Sequence, residues 1–372
     1  MAQSCVKRVL VVQRDMLEDY PPTRTVVLAL RQIGHSVSVV CPRMTDAQLS
    51  EFRASGVEVA EVYPAYNTLP GVANGLARDR GFAKGAWRAI AREPKSALLW
   101  IASGPTALAL GSRLLRFPFV LHLLELYDRI LRYRLGLGRF ARAAQSVVVS
   151  EANRAAVQQV WWGLAEKPIT LPNKPFAHPR KLKLPVSSPE ARQLLAGVSE
   201  TTRIVLYQGL IVPDRDLTQV ARAVEGLGSR YRLVLMGRSS RGALEALRRA
   251  NPRLIAIPYA AAPRHLEVTS HAHIGLAFYS PVSLNNVFCA PNKVWEYAGF
   301  GLPILGNNIP GLEATIGKHG AGLCVPISED AIAQALAEID RRYSDMSRRA
   351  TGMYDEVSVE DIVDRVIKGA ST

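Results

Sequence analysis

Residues Ala290–Pro303, APNKVWEYAGFGLP, with their continuation Ile304–Gly311, ILGNNIPG, decide the fold. Pro291 suits the first turn of a helix, where a missing N–H costs nothing. Val294, Trp295, Ala298 and Phe300 give that helix an apolar body, Gly299 and Gly301 end it, and Pro303 leads into a buried strand. Asn292 and Glu296 stand one turn apart on one face near the positive end of the helix. Free N–H groups there attract a phosphate. A carboxylate one turn in can accept both hydrogen bonds of a ribose diol, and Lys293 adds charge for a diphosphate. The same residues also fit a capped amphipathic helix with a solvated Glu.

The stretch resembles the donor-site signature of family 4 GT-B glycosyltransferases, in the subgroup reading roughly PNKxxEYxAxGLP, strand, PGL; Pro310-Gly311-Leu312 completes it here. The resemblance implies that Glu296 holds the nucleotide ribose. It departs at Phe288, where many members place a Glu that contacts the donor sugar. It departs again at Leu210, which follows Gly209 where members carry an Arg for the diphosphate. Arg215 is the best match for that cation, with Lys293 assisting. Gly237-Arg238 falls where the backbone approaches the nucleotide closely, and Pro258-Tyr259 at the base-binding loop. Ser283, Asn285 and Asn286 are candidate sugar-hydroxyl partners.

The chain has 372 residues, room for two domains, and its 48% hydrophobic content predicts globular cores. Cys5, Cys41, Cys289 and Cys324 form no CxxC pair and read as free thiols in a reducing compartment. Neither a signal peptide nor a membrane-spanning run is expected. The net charge of +14 is unevenly placed. Residues 1–185 hold 26 Lys+Arg against 13 Asp+Glu, and the remainder holds 20 against 19. The excess in the first half predicts a polyanionic partner there: a membrane surface, a lipid diphosphate or nucleic acid.

Two α/β series are expected. The first opens with a strand at Val6–Val12, a helix at Thr23–Ile33 and a strand at Ser36–Cys41, without a GxGxxG fingerprint. Asp46–Ala54 reads as a helix, Val57–Val62 as a strand and Tyr63–Arg80 as a connection. Gly81–Arg92 then reads as a helix bearing Lys84, Arg88 and Arg92 beside Phe82 and Trp87. That pattern fits an anionic bilayer surface, or equally a solvated basic face with a core Trp. Arg129–Ala144 is a second basic-apolar segment, with Arg129, Arg132 and Arg134 at its start. Between them, HLLELYD (His122–Asp128) is similar to the family segment in which an acidic or His residue ends a strand facing the acceptor. His122 and Glu125 are the catalytic candidates, His122 being as readily a hydrogen-bonded strand-end residue. Phe176–Pro189, rich in Pro and Lys, predicts a linker.

The second series restarts at Arg203–Tyr207, with a helix at Asp214–Leu227 and strands at Arg232–Met236, Leu254–Ile257, Ile274–Phe278 and Gly322–Val325. Asp214-Arg215-Asp216 has the DxD form that binds metal in another glycosyltransferase fold. Here it opens a helix, so capping is expected and no metal.

The expected architecture is α/β of GT-B type: two Rossmann-like domains facing across a cleft, 1–175 for the acceptor and 201–342 for the nucleotide sugar. A linker at 176–200 joins them, and helices at 343–372 cross back to the first domain. The implied function is metal-independent, retaining transfer of a sugar from a UDP- or GDP-sugar, the nucleotide sugar being substrate and not cofactor. The charge placement adds a lipid-linked saccharide acceptor and a peripheral site on the inner face of the cytoplasmic membrane, with no nucleic-acid partner. A sugar-nucleotide epimerase and a non-catalytic nucleotide-sugar-binding scaffold remain open alternatives.

Overall fold

A computed structural model of the chain describes residues 7–62, 71–215, 217–240 and 242–370. Expectations for Cys5, for residues 63–70 and for Asp216 fall outside this set. The chain divides into two compact units: residues 1–176 with 358–372, and residues 177–357.

The first unit is built on a parallel sheet whose strands are β1 (Arg8–Gln13), β2 (Ser36–Cys41), β3 (Glu58–Glu61), β4 (Leu98–Ala102), β5 (Phe119–Leu123), β6 (Ser146–Val149) and β7 (Ile169–Thr170), in the order β3-β2-β1-β4-β5-β6-β7. Its central strands are near-continuous apolar runs because both faces are covered. Val9, Val11, Trp100, Val120 and Val148 line one face, packed by the helices Pro21–Gln32 and Val359–Gly369. Leu10, Val12, Leu99, Ile101 and Leu121 line the other, packed by the helices Gly71–Ile90 and Leu131–Ala143.

The second unit repeats the plan with β8 (Arg203–Gln208), β9 (Tyr231–Met236), β10 (Ile255–Ile257), β11 (Ile274–Ala277), β12 (Ile304–Asn307) and β13 (Gly322–Val325), ordered β10-β9-β8-β11-β12-β13 and all parallel. In each sheet the order reverses once, beside β1 in the first and beside β8 in the second. Ligands of open α/β sheets bind outside the strand carboxyl ends at such a reversal.

Several expected boundaries shift. The helix expected from Gly81 begins at Gly71. Gly85 does not weaken it, since a β-carbon there would lie 2.1 Å from Val62 Cγ1; the glycine lets the helix sit flush on its neighbour. The helix expected over Asp214–Leu227 is a 3-10 turn, Pro213–Arg215, followed by the helix Thr218–Gly226. Asp214 therefore does not cap it: the cap position is Leu217, with no side-chain bond. The segment expected as linker contains the helix Pro189–Ala196, started by Pro189 in its first turn and by Ser188, whose side chain accepts the Ala191 N–H. Of the C-terminal helices, only Val359–Gly369 joins the first unit. Tyr343–Asp355 stays in the second, where Ala350, Met353 and Tyr354 share a core with Val294, Ala298 and Phe300.

Candidate nucleotide-sugar site

The helix Asn292–Gly299 lies at the reversal of the second sheet, and Tyr297 holds it there. Tyr297 is fully buried; its hydroxyl donates to the Leu206 carbonyl at 3.0 Å and accepts the Gln208 N–H at 3.2 Å, both on β8. Gly275 on β11 makes room, since a β-carbon there would lie 2.2 Å from the ring. The motif Tyr thus bridges the two strands that flank the reversal, and fixes its neighbours Glu296 and Lys293 above the strand ends. Pro310-Gly311-Leu312 buttresses the loop leading into the helix: a β-carbon on Gly311 would meet the Cys289 amide and carbonyl at 2.6 Å.

Glu296 is 7% exposed. One carboxylate oxygen lies 3.0 Å from His265 Nε2, and the other accepts a hydrogen bond from Gln208 Nε2. Gln208 Oε1 accepts in turn from Thr269 Oγ1 at 2.6 Å. Burial alone would raise the Glu296 pKa; His265, Gln208 and Lys293 outweigh it and hold the carboxyl below its ordinary value. The carboxylate is thus charged, oriented, and surrounded by groups that a ribose diol would join or replace.

Lys293 is buried with its ammonium 3.8 Å from the centroid of the Tyr207 ring and 5.6 Å from that of Tyr279. Burial, then the charge of Arg215, lowers its pKa to about 7, with Glu296 acting in the opposite direction. Arg215 stacks 4.2 Å over Tyr279, and its buried Nη1 has no hydrogen-bond partner among the described residues. Two cations packed on aromatic faces, each raising the cost of the other, form a site that gains from an anion. Tyr279 is itself clamped, its N–H and carbonyl both bonded at 2.9 Å by the side chain of Asn307.

Gly209 and Gly237 follow β8 and β9. Gly237 adopts φ 149°, and a β-carbon there would lie 1.9 Å from the Gly209 carbonyl oxygen, so two strand ends approach at backbone distance beneath the site. Arg238 is exposed and stacks 4.1 Å over Tyr259, a flat edge beside β9 and β10 suited to a base. Asn292 is half-buried at the helix start. The structure therefore groups Gly209, Arg215, Gly237, Arg238, Tyr259, Asn292, Lys293 and Glu296 on one end of one unit. Of the loop residues proposed for sugar hydroxyls, Ser283 caps the helix Leu284–Val287 by accepting the Asn286 N–H, and the Asn286 side chain donates to the Ser280 carbonyl. Both are engaged in shaping the loop.

Sequence reasoning missed Gln208, His265, Tyr207, Tyr279 and Asn307. Gln208 carried a signal, as the polar residue ending β8 immediately before Gly209. The others are brought in by the fold.

In the first unit the catalytic candidates separate. His122 lies within β5, 0% exposed, edge-on to Trp100 with ring centroids 5.9 Å apart, and neither ring nitrogen has a hydrogen-bond partner among the described residues. Burial lowers its pKa to about 3. The expectation that His122 faces outward at the strand end is corrected: its strand parity points it into the core, away from solvent. Glu125 lies past the strand end, its side chain half exposed, 3.8 Å from the buried Arg154 guanidinium. Beside the same edge, Arg14 pairs with Asp15 and Asp79, and the Tyr127 hydroxyl accepts the Gly104 N–H.

Lys84, Arg88 and Arg92 are exposed, as are Arg129, Arg132 and Arg134. Trp87 is half-buried: its Nε1–H donates to the Leu110 carbonyl at 3.2 Å and its ring meets Phe117 at 5.3 Å, beneath the Arg113 guanidinium. Exposed apolar side chains of the first unit include Ile130, Leu131, Leu135 and Val160, the last two 68% and 81% exposed. No helix among the described residues is long and apolar enough to cross a membrane.

No family model and no curated protein matches the chain. Solved structures do. HepE from Anabaena, in complex with UDP and glucose, aligns with a TM-score of 0.72 at 12% identity, over 98% of this chain and 99% of that one. A glycosyltransferase from Rickettsia africae aligns at 0.70 and 12%, over 99% and 98%. Sucrose-phosphate synthase from Thermosynechococcus elongatus aligns at 0.70 and 15%, over 97% and 98%. With two parallel-sheet α/β units and these neighbours, the chain has the GT-B fold.

Proposed function

We propose that the chain is a glycosyltransferase that takes a sugar from a nucleotide-activated donor, of the retaining kind found in family 4, and places it on a lipid-linked saccharide. The observation that carries this reading is the pairing of Arg215 and Lys293, two half-buried to buried cations on aromatic faces, beside the charged Glu296 at the sheet reversal. Such a group fits a diphosphate next to a ribose. HepE, which shares the fold, was solved with UDP and glucose and with UDP-glucose.

In the proposed reaction the anomeric C–O bond to the diphosphate breaks, and a bond from an acceptor hydroxyl oxygen to the same carbon forms on the same face. Arg215 and Lys293 stabilise the charge that develops on the departing diphosphate. Its freed oxygen is the nearest base on that face and takes the acceptor proton. Glu296 fixes the ribose, and Glu125 serves the acceptor. A thermal-shift screen of UDP- and GDP-hexoses tests the donor half. The matching donor raises the unfolding temperature, and donor alone gives no epimer. No shift with any of them refutes the reading, whereas conversion of donor to an epimer favours an isomerase on the same fold.

The acceptor assignment rests on the first unit's surface. Arg129, Arg132 and Arg134 beside Ile130, Leu131 and Leu135 combine charge with exposed apolar side chains, as a peripheral protein on the anionic inner leaflet requires. Each basic residue near such a surface contributes about 1 kcal/mol. The protein is expected to sediment with vesicles containing anionic lipid at low salt, to be released by high salt, and to lose most of its binding as Leu131→Ser with Leu135→Ser. Equal binding to neutral vesicles, or none at low salt, contradicts it.

A further inference from the structure

We propose that His178 is a positioning residue for the ribose contact: it caps the helix that carries Glu296 and sets the height of that carboxylate. This rests on the nucleotide-sugar reading above. The last carbonyls of a helix lack internal partners. In the helix Asn292–Gly299 the Phe300 N–H, which would serve the Glu296 carbonyl in a continuing helix, donates to the Tyr297 carbonyl at 3.0 Å instead. His178 Nε2 lies 3.0 Å from the Glu296 carbonyl oxygen.

The tautomer follows from the other ring nitrogen. His178 Nδ1 accepts the Arg180 N–H at 3.0 Å, so Nδ1 carries a lone pair and Nε2 carries the proton that it donates to Glu296. Burial lowers the His178 pKa to about 4, which keeps this neutral form across the physiological range.

The ring is held on all sides. It meets Phe300 edge-on at 4.2 Å and Tyr354 at 5.4 Å. It lies flat on Gly299, where a β-carbon would be 2.6 Å from ring atoms. Arg180 anchors the segment by pairing with Asp355 at 2.6 Å and stacking 4.5 Å over Tyr354. The three residues His178-Pro179-Arg180 thus clasp the end of the donor helix from outside its sequence. They fix the backbone of the one residue whose side chain is bonded by Gln208 and His265. The glycine of the motif, Gly299, is then the seat of this ring as well as a helix end.

The test measures dissociation constants of UDP and GDP, and of the 2′,3′-dideoxy form of whichever binds. Wild type, His178→Phe and His178→Gln are compared, each first checked for the native unfolding transition. His178→Phe keeps the ring and removes the N–H; His178→Gln keeps an N–H at similar reach. Affinity for the nucleotide is expected to fall about tenfold in His178→Phe and to stay within about threefold in His178→Gln, the range of one hydrogen bond. Neither change should move affinity for the dideoxy form, which lacks the diol that Glu296 holds. Equal losses for both ligands, or no loss in His178→Phe, overturn the positioning role. If the wild type binds neither nucleotide, the site assignment itself fails, an outcome separable from both.

Discussion

Glu296→Ala is expected to remove most of the stabilisation that a nucleotide sugar confers, while leaving a folded protein. A carboxylate that accepts two ribose hydroxyls makes two charge-assisted hydrogen bonds, each worth about 1.5–3 kcal/mol. Losing them lowers affinity by about 100-fold or more. At a ligand concentration 100 times the original Kd, binding stabilises the folded state by about 2.7 kcal/mol, and a 100-fold weaker site retains about 0.4 kcal/mol. The fold tolerates the change because the helix is held by its neighbour Tyr297, bonded to Leu206 and Gln208 on β8. Calorimetric titration with the donor checks it. Unchanged affinity with an unchanged fold means that the ribose lies elsewhere and that His265 and Gln208 bind Glu296 for structural reasons alone.

Lys293→Met is expected to lower UDP affinity by about 10- to 100-fold and to leave uridine affinity unchanged, since the lost interaction is with the diphosphate. Met matches the buried stem of Lys and needs no counter-charge, so the variant should be no less stable than the wild type. The wild type also carries a pH signature. In the free protein the Lys293 pKa is about 7, lowered first by burial. A bound diphosphate raises it, so binding takes up a proton. Affinity is then greatest below the free pKa and is lost as pH rises through the bound one. Between pH 7 and 9 the UDP affinity of the wild type should fall, by at most about tenfold per unit, while that of Lys293→Met stays flat. A wild-type titration whose heat is independent of buffer ionisation at pH 7.5 contradicts proton uptake.

The helix Asn292–Gly299 was legible because its signals are local. A proline start, the spacing of Asn292 and Glu296, the closing glycines and the following strand can all be read within one short stretch. What that stretch did not reveal is why each residue is there. Tyr297 bridges β8 and β11, Gly299 seats His178, and Gly311 backs onto Cys289. These partners lie far off in sequence, and only the fold brings them together.

His122 shows the complementary error. Its place at the end of an apolar run was read correctly, but side-chain direction in a strand alternates with period two. Parity places His122 with Val120 and Trp100 in the core, while Glu125, past the strand, faces outward. Basic neighbours on one helix face likewise do not show whether the aromatic between them is packed; Trp87, half-buried, meets Phe117. The short helix after Ser188 was hidden by its Pro- and Lys-rich approach, although Ser-Pro-Glu is a start signal.

In the proposed site the second unit grips a nucleotide diphosphate between Arg215 and Lys293, with its ribose on Glu296. A crystal structure of the protein with its bound nucleoside diphosphate tests it most directly. Phosphate oxygens are expected within hydrogen-bond distance of Lys293 Nζ and the Arg215 guanidinium, and both ribose hydroxyls on the Glu296 carboxylate. A nucleotide found away from these three side chains, with Glu296 still bonded only to Gln208 and His265, would contradict it.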